Sequence, residues 1–156
     1  MNRKLEQHWS GIGFRVGQQY LAIAIDEMQE VYNYNKFPKP SPLPTSSPWI
    51  LGVASRHGHL VSILDLGGFL SSEPTRITPD SRVLVVKYPQ ISAGLLVDEV
   101  AGIRHFKDRE QLKRPPHGDD KLMNLLITAY KQDKREWGVL SITKLARLPD
   151  MSELAG

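Results

Sequence analysis

The 156-residue sequence contains no cysteine. Disulfides, thiolate nucleophiles, iron–sulfur clusters and cysteine-bearing zinc sites are excluded at once, and a reducing compartment fits. Long hydrophobic runs are also missing. The longest, such as Leu21-Ala22-Ile23-Ala24-Ile25, are strand-sized, far below the ~18 residues that read as a transmembrane helix. The opening MNRKLEQHWSG is charged and lacks the apolar stretch of a signal peptide. No Gly-x-Ser-x-Gly elbow, Walker loop or Gly-x-Gly-x-x-Gly fingerprint occurs, and Gly11-Ile12-Gly13 opens a strand where a dinucleotide fingerprint would open a helix. These absences leave a soluble cytoplasmic protein with no positive case for catalysis.

What is present reads as globular: 40% hydrophobic and 24% charged residues. Strand signals dominate. Ile12, Phe14 and Val16 alternate with small or polar residues, Gly17-Gln18-Gln19 turns the chain, and alternation resumes over 20–25. Over 26–31 the period changes. Met28 and Val31 lie three apart behind a potential Asp26 cap, which predicts a short helix. The proline-rich stretch 38–48 cannot join a central strand and predicts an extended connector. Hairpins are expected over 49–66 around Arg56-His57-Gly58, over 82–97, and over 125–142. Short helical turns are expected at 67–70, 98–103 and 143–148. Phe14, Ile23, Ile25, Val53, Ile63, Leu84, Val86, Leu95, Val97 and Leu140 are the expected core. Gly58 is expected to take a positive φ in its turn, and Gly52 to lie against a closely approaching backbone or partner.

An internal repeat organises these elements. Ile25-Asp26-Glu27-Met28 and Val31 match Val97-Asp98-Glu99-Val100 and Ile103 at an offset of 72 residues; Ile63-Leu64-Asp65-Leu66 and Phe69 echo Val139-Leu140-Ser141-Ile142 and Leu145 at an offset of 76. Order and spacing together imply two similar β-subdomains with a crease between them, where partners bind.

Charge is nearly balanced, at +3 overall, and the whole excess falls in segment 104–114, with five basic and two acidic residues. A small β-barrel binding nucleic acid through that segment is the alternative reading; only Phe106 is at hand there for base stacking. His57 and His59 would share a face of a regular strand, but a zinc site needs further ligands that nothing suitably spaced supplies. The Asp-Glu pairs at 26–27 and 98–99 point apart on a helical turn and suit capping and solvation better than a shared acid–base site.

Three blocks carry a resemblance: FRVGQQYLAIAIDEMQEV (14–31), WILGVASRHGHLVSILDL (49–66) and AGLLVDEVAGI (93–103). They resemble the CheW-like coupling domain of bacterial chemosensory arrays. Gly52, Val53, Gly58, Asp65 and Leu66 match its hydrophobic-x-Gly-Val…Arg-Gly…Asp-Leu run, 28–31 matches its Val-x-Glu-Ile element, and 94–100 its Gly-Leu-Leu-Val-Asp-x-Val. Within the family, the opening GIGFRVG, GLLVDEVAGIRHF and the late Trp-Gly-Val-Leu-Ser look most like the coupling proteins of type IV pilus twitching-motility systems.

The resemblance implies a mainly β fold of two intertwined five-stranded SH3-like barrels with a few short helices. It makes one domain of residues 10–148, with 1–9 and 149–156 as flexible termini. It implies a non-catalytic adaptor with no cofactor, metal or nucleic acid, located at receptor arrays on the inner face of the membrane and reaching the membrane only through receptors. The implied partners are the regulatory domain of a histidine kinase, built on the same fold, and the cytoplasmic tip of methyl-accepting receptors. By motif position, Met28, Glu30, Val31, Gly52, Val53, Ser55, His57, Gly58 and Val100 would surround the receptor groove. The sequence departs from the family where Asn becomes Ser55, Arg becomes His57 and Pro becomes Ser62. Histidine is shorter than arginine and loses its charge near neutral pH, so a pairing with Glu30 would be weaker and pH-sensitive.

Overall fold

A computed structural model describes residues 8–44, 47–87, 92–114 and 118–151. Ten strands form two five-stranded sheets. The strands are β1 (His8–Val16), β2 (Gln19–Ala24), β3 (Met28–Asn33), β4 (Ile50–Arg56), β5 (His59–Asp65), β6 (Arg82–Lys87), β7 (Ser92–Val97), β8 (Glu99–Lys107), β9 (Leu126–Gln132) and β10 (Arg135–Leu140). Three short helices join them: α1 (Leu66–Ser71), α2 (Asp120–Met123) and α3 (Ile142–Ala146). One sheet runs β8-β1-β2-β10-β9 and the other β3-β6-β7-β5-β4.

Those two orders are the same order. Matching β1 to β6, β2 to β7, β3 to β8, β4 to β9 and β5 to β10 turns one sheet into the other, in accord with the repeat. Each sheet takes two strands from one half of the chain and three from the other, so the halves are intertwined. In each sheet the first and last strands do not pair, so each SH3-like barrel stays open along one seam.

The core follows from the alternation. Phe14, Leu21 and Ile23 from one sheet meet Leu64, Leu84, Val86, Leu95 and Val97 from the other in one shared apolar layer. The second barrel is filled by Ala54, Val61, Ile63, Val83 and Val85, with Phe37. The first holds Phe106, Tyr130 and Trp137 with Ala22 and Val139. Trp9 stacks on Phe106 at 5.9 Å and Met151 is buried in the shared layer, so packed structure reaches beyond 10–148 on both sides. Of the ten residues expected in the core, eight are buried; Ile25 is 42% exposed and Val53 is half-buried.

Two expected helical turns are strands. Only Ile25–Glu27 forms a single 3-10 turn, uncapped by any side chain, before β3 begins at Met28. Residues 99–103 belong to β8. The short helices that do form each have a side-chain cap, from Asp65, Asp119 or Ser141, and none caps the Ile25–Glu27 turn, whereas pairing with β6 and β1 satisfies these backbone groups directly. The helix-like spacing has a cause. Met28 faces Val86 and Val31 faces Leu84, with Gln29 bulged out between them. Val100 faces Phe14 and Ile103 faces Ile12, with a bulge at Ala101-Gly102, where Gly102 has φ 82°. One inserted residue puts positions i and i+3 of a strand on the same face. The expected basic loop is also partly strand, since 104–107 complete β8 and Asp108–Glu110 make a 3-10 turn.

Candidate functional site

The nine residues singled out by motif fall on three strands and one turn. Met28, Glu30 and Val31 lie on β3, and Val100 on β8. Gly52, Val53 and Ser55 lie on β4, and His57 and Gly58 form the β4–β5 turn. The β3 and β8 residues are equivalent under the repeat. Met28 and Val100 both pack half-buried against the shared core. Beside them, Val31 is 44% and Ile103 59% exposed. The 3-10 turn leading into Met28 rests on β1, whose Phe14 pairs with Val100. Equivalent bulged edge strands from the two halves therefore present half-buried and exposed apolar side chains at matching places.

The entry to β8 is held tightly. The Asp98 carboxylate accepts the Gly17 N–H at 2.6 Å, the Asp98 N–H donates to the Arg15 carbonyl, and Arg15 Nε donates to Glu99 at 3.0 Å. The bond to Glu99 holds the Arg15 guanidinium above its ordinary value despite partial burial. These acids tie a crossover between sheets to the β1–β2 turn, beyond the capping and solvation expected of them. At the equivalent crossover into β3, burial and the neighbouring Asp26 charge push the Glu27 carboxyl up.

Gly52 is where the expected close approach occurs, and it is made by backbone. A Cβ there would lie 2.1 Å from the Ser41 carbonyl oxygen, at φ 137°. Ser41 and Val53 exchange two hydrogen bonds of 2.8 Å across this point, and their bridge covers the outer edge of β4. Gly58 has the expected positive φ of 78°, and His57 shares it at 50°. The turn is thus a two-residue hairpin, with Arg56 opposite His59. Ser55 and Glu30 are exposed, and among the described residues no ion pair joins Glu30 to His57.

Two residues outside the nine matter. Arg56 sits over the Tyr32 ring, 4.6 Å from its centroid, and so joins β4 to β3 across the open seam. Ile103 completes the exposed apolar pair with Val31; the signal was already in the repeat, where the two occupy equivalent positions.

Chemically, the crease can hold an apolar partner surface. Among the described residues no three His, Asp or Glu side chains are grouped as a metal site, and no helix is long and apolar enough to cross a membrane. The basic segment is poorly built for bases. Phe106 is fully buried among Trp9, Tyr130 and Trp137. Arg104 lies over Trp137 at 4.5 Å and bonds Asp133, and Arg114 pairs with Glu136.

Comparison with known proteins agrees with this architecture. Residues 10–150 match the CheW-like domain. The chain is 43% identical over 100 residues to Protein PilI of Pseudomonas aeruginosa, spanning 64% of this chain and 54%, about half, of that protein. It is 33% identical over 133 residues to Protein FrzA of Myxococcus xanthus, covering 85% of this chain and 81% of FrzA. It is 27% identical over 125 residues to Chemotaxis protein CheW of Bacillus subtilis, covering 80% and 78%. The crystal structure of scaffolding protein TtCheW from Thermoanaerobacter tengcongensis superposes with a TM-score of 0.78, at 18% identity over 92% of this chain and 96% of that one, which shows the fold.

Proposed function

The chain belongs to the CheW-like domain family, and from that premise we propose that it is a non-catalytic adaptor coupling methyl-accepting receptors to a histidine kinase in a chemosensory array. The carrying observation is the pair of equivalent bulged edge strands, whose Met28 and Val100 pack against the shared core and whose Val31 and Ile103 stand exposed beside them. An amphipathic helix laid in an apolar crease needs such a row of anchors and no catalytic group. The receptor's helical tip is the occupant that suits it, and the kinase's regulatory domain, of the same fold, docks elsewhere on the barrels. The likeness to PilI supports reading the system as one that drives type IV pilus twitching motility, with the protein in the cytoplasm at receptor arrays.

The test is a binding measurement with the purified cytoplasmic hairpin tip of a methyl-accepting receptor from the same genome, and separately with the kinase's regulatory domain. Val100→Glu sets an unpaired carboxylate into the apolar contact and should weaken receptor binding roughly a hundredfold, while kinase binding persists. Unchanged receptor affinity in this variant, with wild-type folding, would sink the placement of the groove.

A further inference from the structure

The proposed groove draws on both ends of one sheet. Met28, Glu30 and Val31 lie on β3, and Val53, Ser55 and His57 lie on or beside β4. These strands are first and last in the order β3-β6-β7-β5-β4. In a flat sheet, four steps of about 4.8 Å would set them roughly 19 Å apart. They share a surface only because the sheet curls; β3 and β4 do not pair directly, and the backbone tie on this edge is the Ser41–Val53 bridge from the segment after β3. Across the seam, the Arg56 guanidinium stacks over Tyr32 at 4.6 Å. Tyr32 follows Glu30 by two residues on β3, and Arg56 adjoins His57 at the hairpin tip. Tyr32 also packs on Phe37, with ring centroids 5.1 Å apart. Arg56 Nε is buried without a hydrogen-bond partner, so the cation's hold on this side is the ring face.

The other barrel closes its seam at the matching place with an arginine from the opposite edge. The counterpart of Tyr32 is Arg104, and the counterpart of Arg56 is Gln132, by the 72- and 76-residue offsets. Arg104 donates to Gln132 at 3.3 Å and to Asp133 at 3.4 Å, and its Nε too is buried without a partner. Each open sheet thus carries one arginine across its seam. Both lie over an aromatic ring; in the first barrel hydrogen bonds to Gln132 and Asp133 add to that hold, and in the second the ring of Tyr32 acts without them.

We infer that the Arg56–Tyr32 stack is the positioning contact of the receptor groove: it holds the β4–β5 hairpin against β3, so that one partner helix touches both. This rests on the receptor-binding reading above. Neither side chain needs to touch the receptor; each acts through Glu30, Val31 and His57.

The experiment measures affinity of the full chain for the same receptor tip in five variants, with melting temperature alongside. Arg56→Met keeps the apolar stem and removes the cation, and Tyr32→Leu removes the ring. Each should weaken binding about three- to thirtyfold, the range of a partly desolvated cation–π contact. The double variant should bind no worse than the weaker single, because one contact is lost either way. Arg56→Lys and Tyr32→Phe preserve a cation and a ring, and should stay within about threefold of wild type. Rescue by the conservative variants is what a general loss of packing would not give. If Arg56→Met and Tyr32→Leu fold and bind like wild type, or if their effects add in the double variant, the inference falls. Val100→Glu is measured in parallel. Wild-type affinity there overturns the receptor reading itself, whereas loss there with no effect of the seam variants overturns only the positioning role.

Discussion

Replacing Gly52 by alanine tests how the second sheet protects its outer edge. Two costs arise. The backbone at φ 137° is one that L side chains rarely adopt, worth about 1–3 kcal/mol of strain. The new methyl would sit 2.1 Å from the Ser41 carbonyl oxygen and 2.6 Å from its carbon, which is backbone and cannot rotate aside. Residues 41–42 must then move away, and the two Ser41–Val53 bonds of 2.8 Å are lost, at about 0.5–1.5 kcal/mol each. The total is about 2–6 kcal/mol, a large share of the ~5–15 kcal/mol that stabilises a typical domain. Gly17→Ala is the control. Gly17 also has positive φ, at 59°, but nothing lies within 4 Å of a Cβ there, so only conformational strain of about 1–2 kcal/mol remains. Urea unfolding of both variants gives the difference, and hydrogen exchange at the Val53 amide reports the bridge directly. If Gly52→Ala costs no more than Gly17→Ala, or leaves Val53 protected, the close approach is not what makes glycine necessary there.

Other predictions concern stability and binding. Asp133 and Lys134 form the β9–β10 turn with φ of 54° and 62°, where the equivalent turn places Gly58 at its second position; Lys134→Gly should stabilise the fold by about 0.5–1 kcal/mol in urea titration. The Glu27 carboxyl is pushed up by burial and by Asp26, so the folded state holds its proton more tightly than the unfolded chain does. Its ionisation therefore destabilises the fold above the raised value, and that penalty is relieved as pH falls below the unfolded value. Glu27→Gln should be more stable than wild type at pH 7, with the advantage shrinking toward pH 4; an advantage that grows on acidification contradicts the sign. His57→Arg should strengthen, or at least preserve, receptor-tip binding at pH 7–8 by setting a permanent cation near Glu30, and should remove a rise of wild-type binding below pH ~6.5; equal, pH-flat affinities of the two proteins would place residue 57 outside the contact.

The core strands were legible, the first pair by alternation around Phe14 and Ile23 and the pair over 82–97 as continuous apolar runs; Phe14, Ile63, Leu84, Leu95, Val97 and Leu140 are all buried. The order of the sheets was partly legible, since the repeat announced two like units. That they exchange strands could not be read from spacing, because pairing of β2 with β10 and of β5 with β7 joins residues far apart in the chain. Arg56 escaped notice because its neighbour His57 stands at the motif position, while the ring it covers lies on the opposite edge of the sheet.

The misread residues have local causes. Ile25 lies beyond the end of β2, in the 3-10 turn, where alternation no longer assigns a face. Val53 faces outward opposite Ser62 because the ladder slips by one residue between Ile50 and Gly52. Met28 and Val31, and likewise Val100 and Ile103, mimic a helix turn because each pair straddles a bulge. These slips recur at equivalent places: the one at Ile50–Gly52 has its partner where Leu140 faces Leu126, and the one in β3 has its partner in β8. A feature present in both halves is part of the architecture. A spacing of three is shared by a helical turn and a bulged strand, so spacing alone cannot separate them. What separates them here is a β-branched residue at the second apolar position in both halves, a glycine at Gly102 with positive φ, and the absence of a capping side chain before Met28. The same extra residue that hides these strands from a periodicity reading also puts both apolar side chains of each pair on one face, which a regular strand of that sequence would not do.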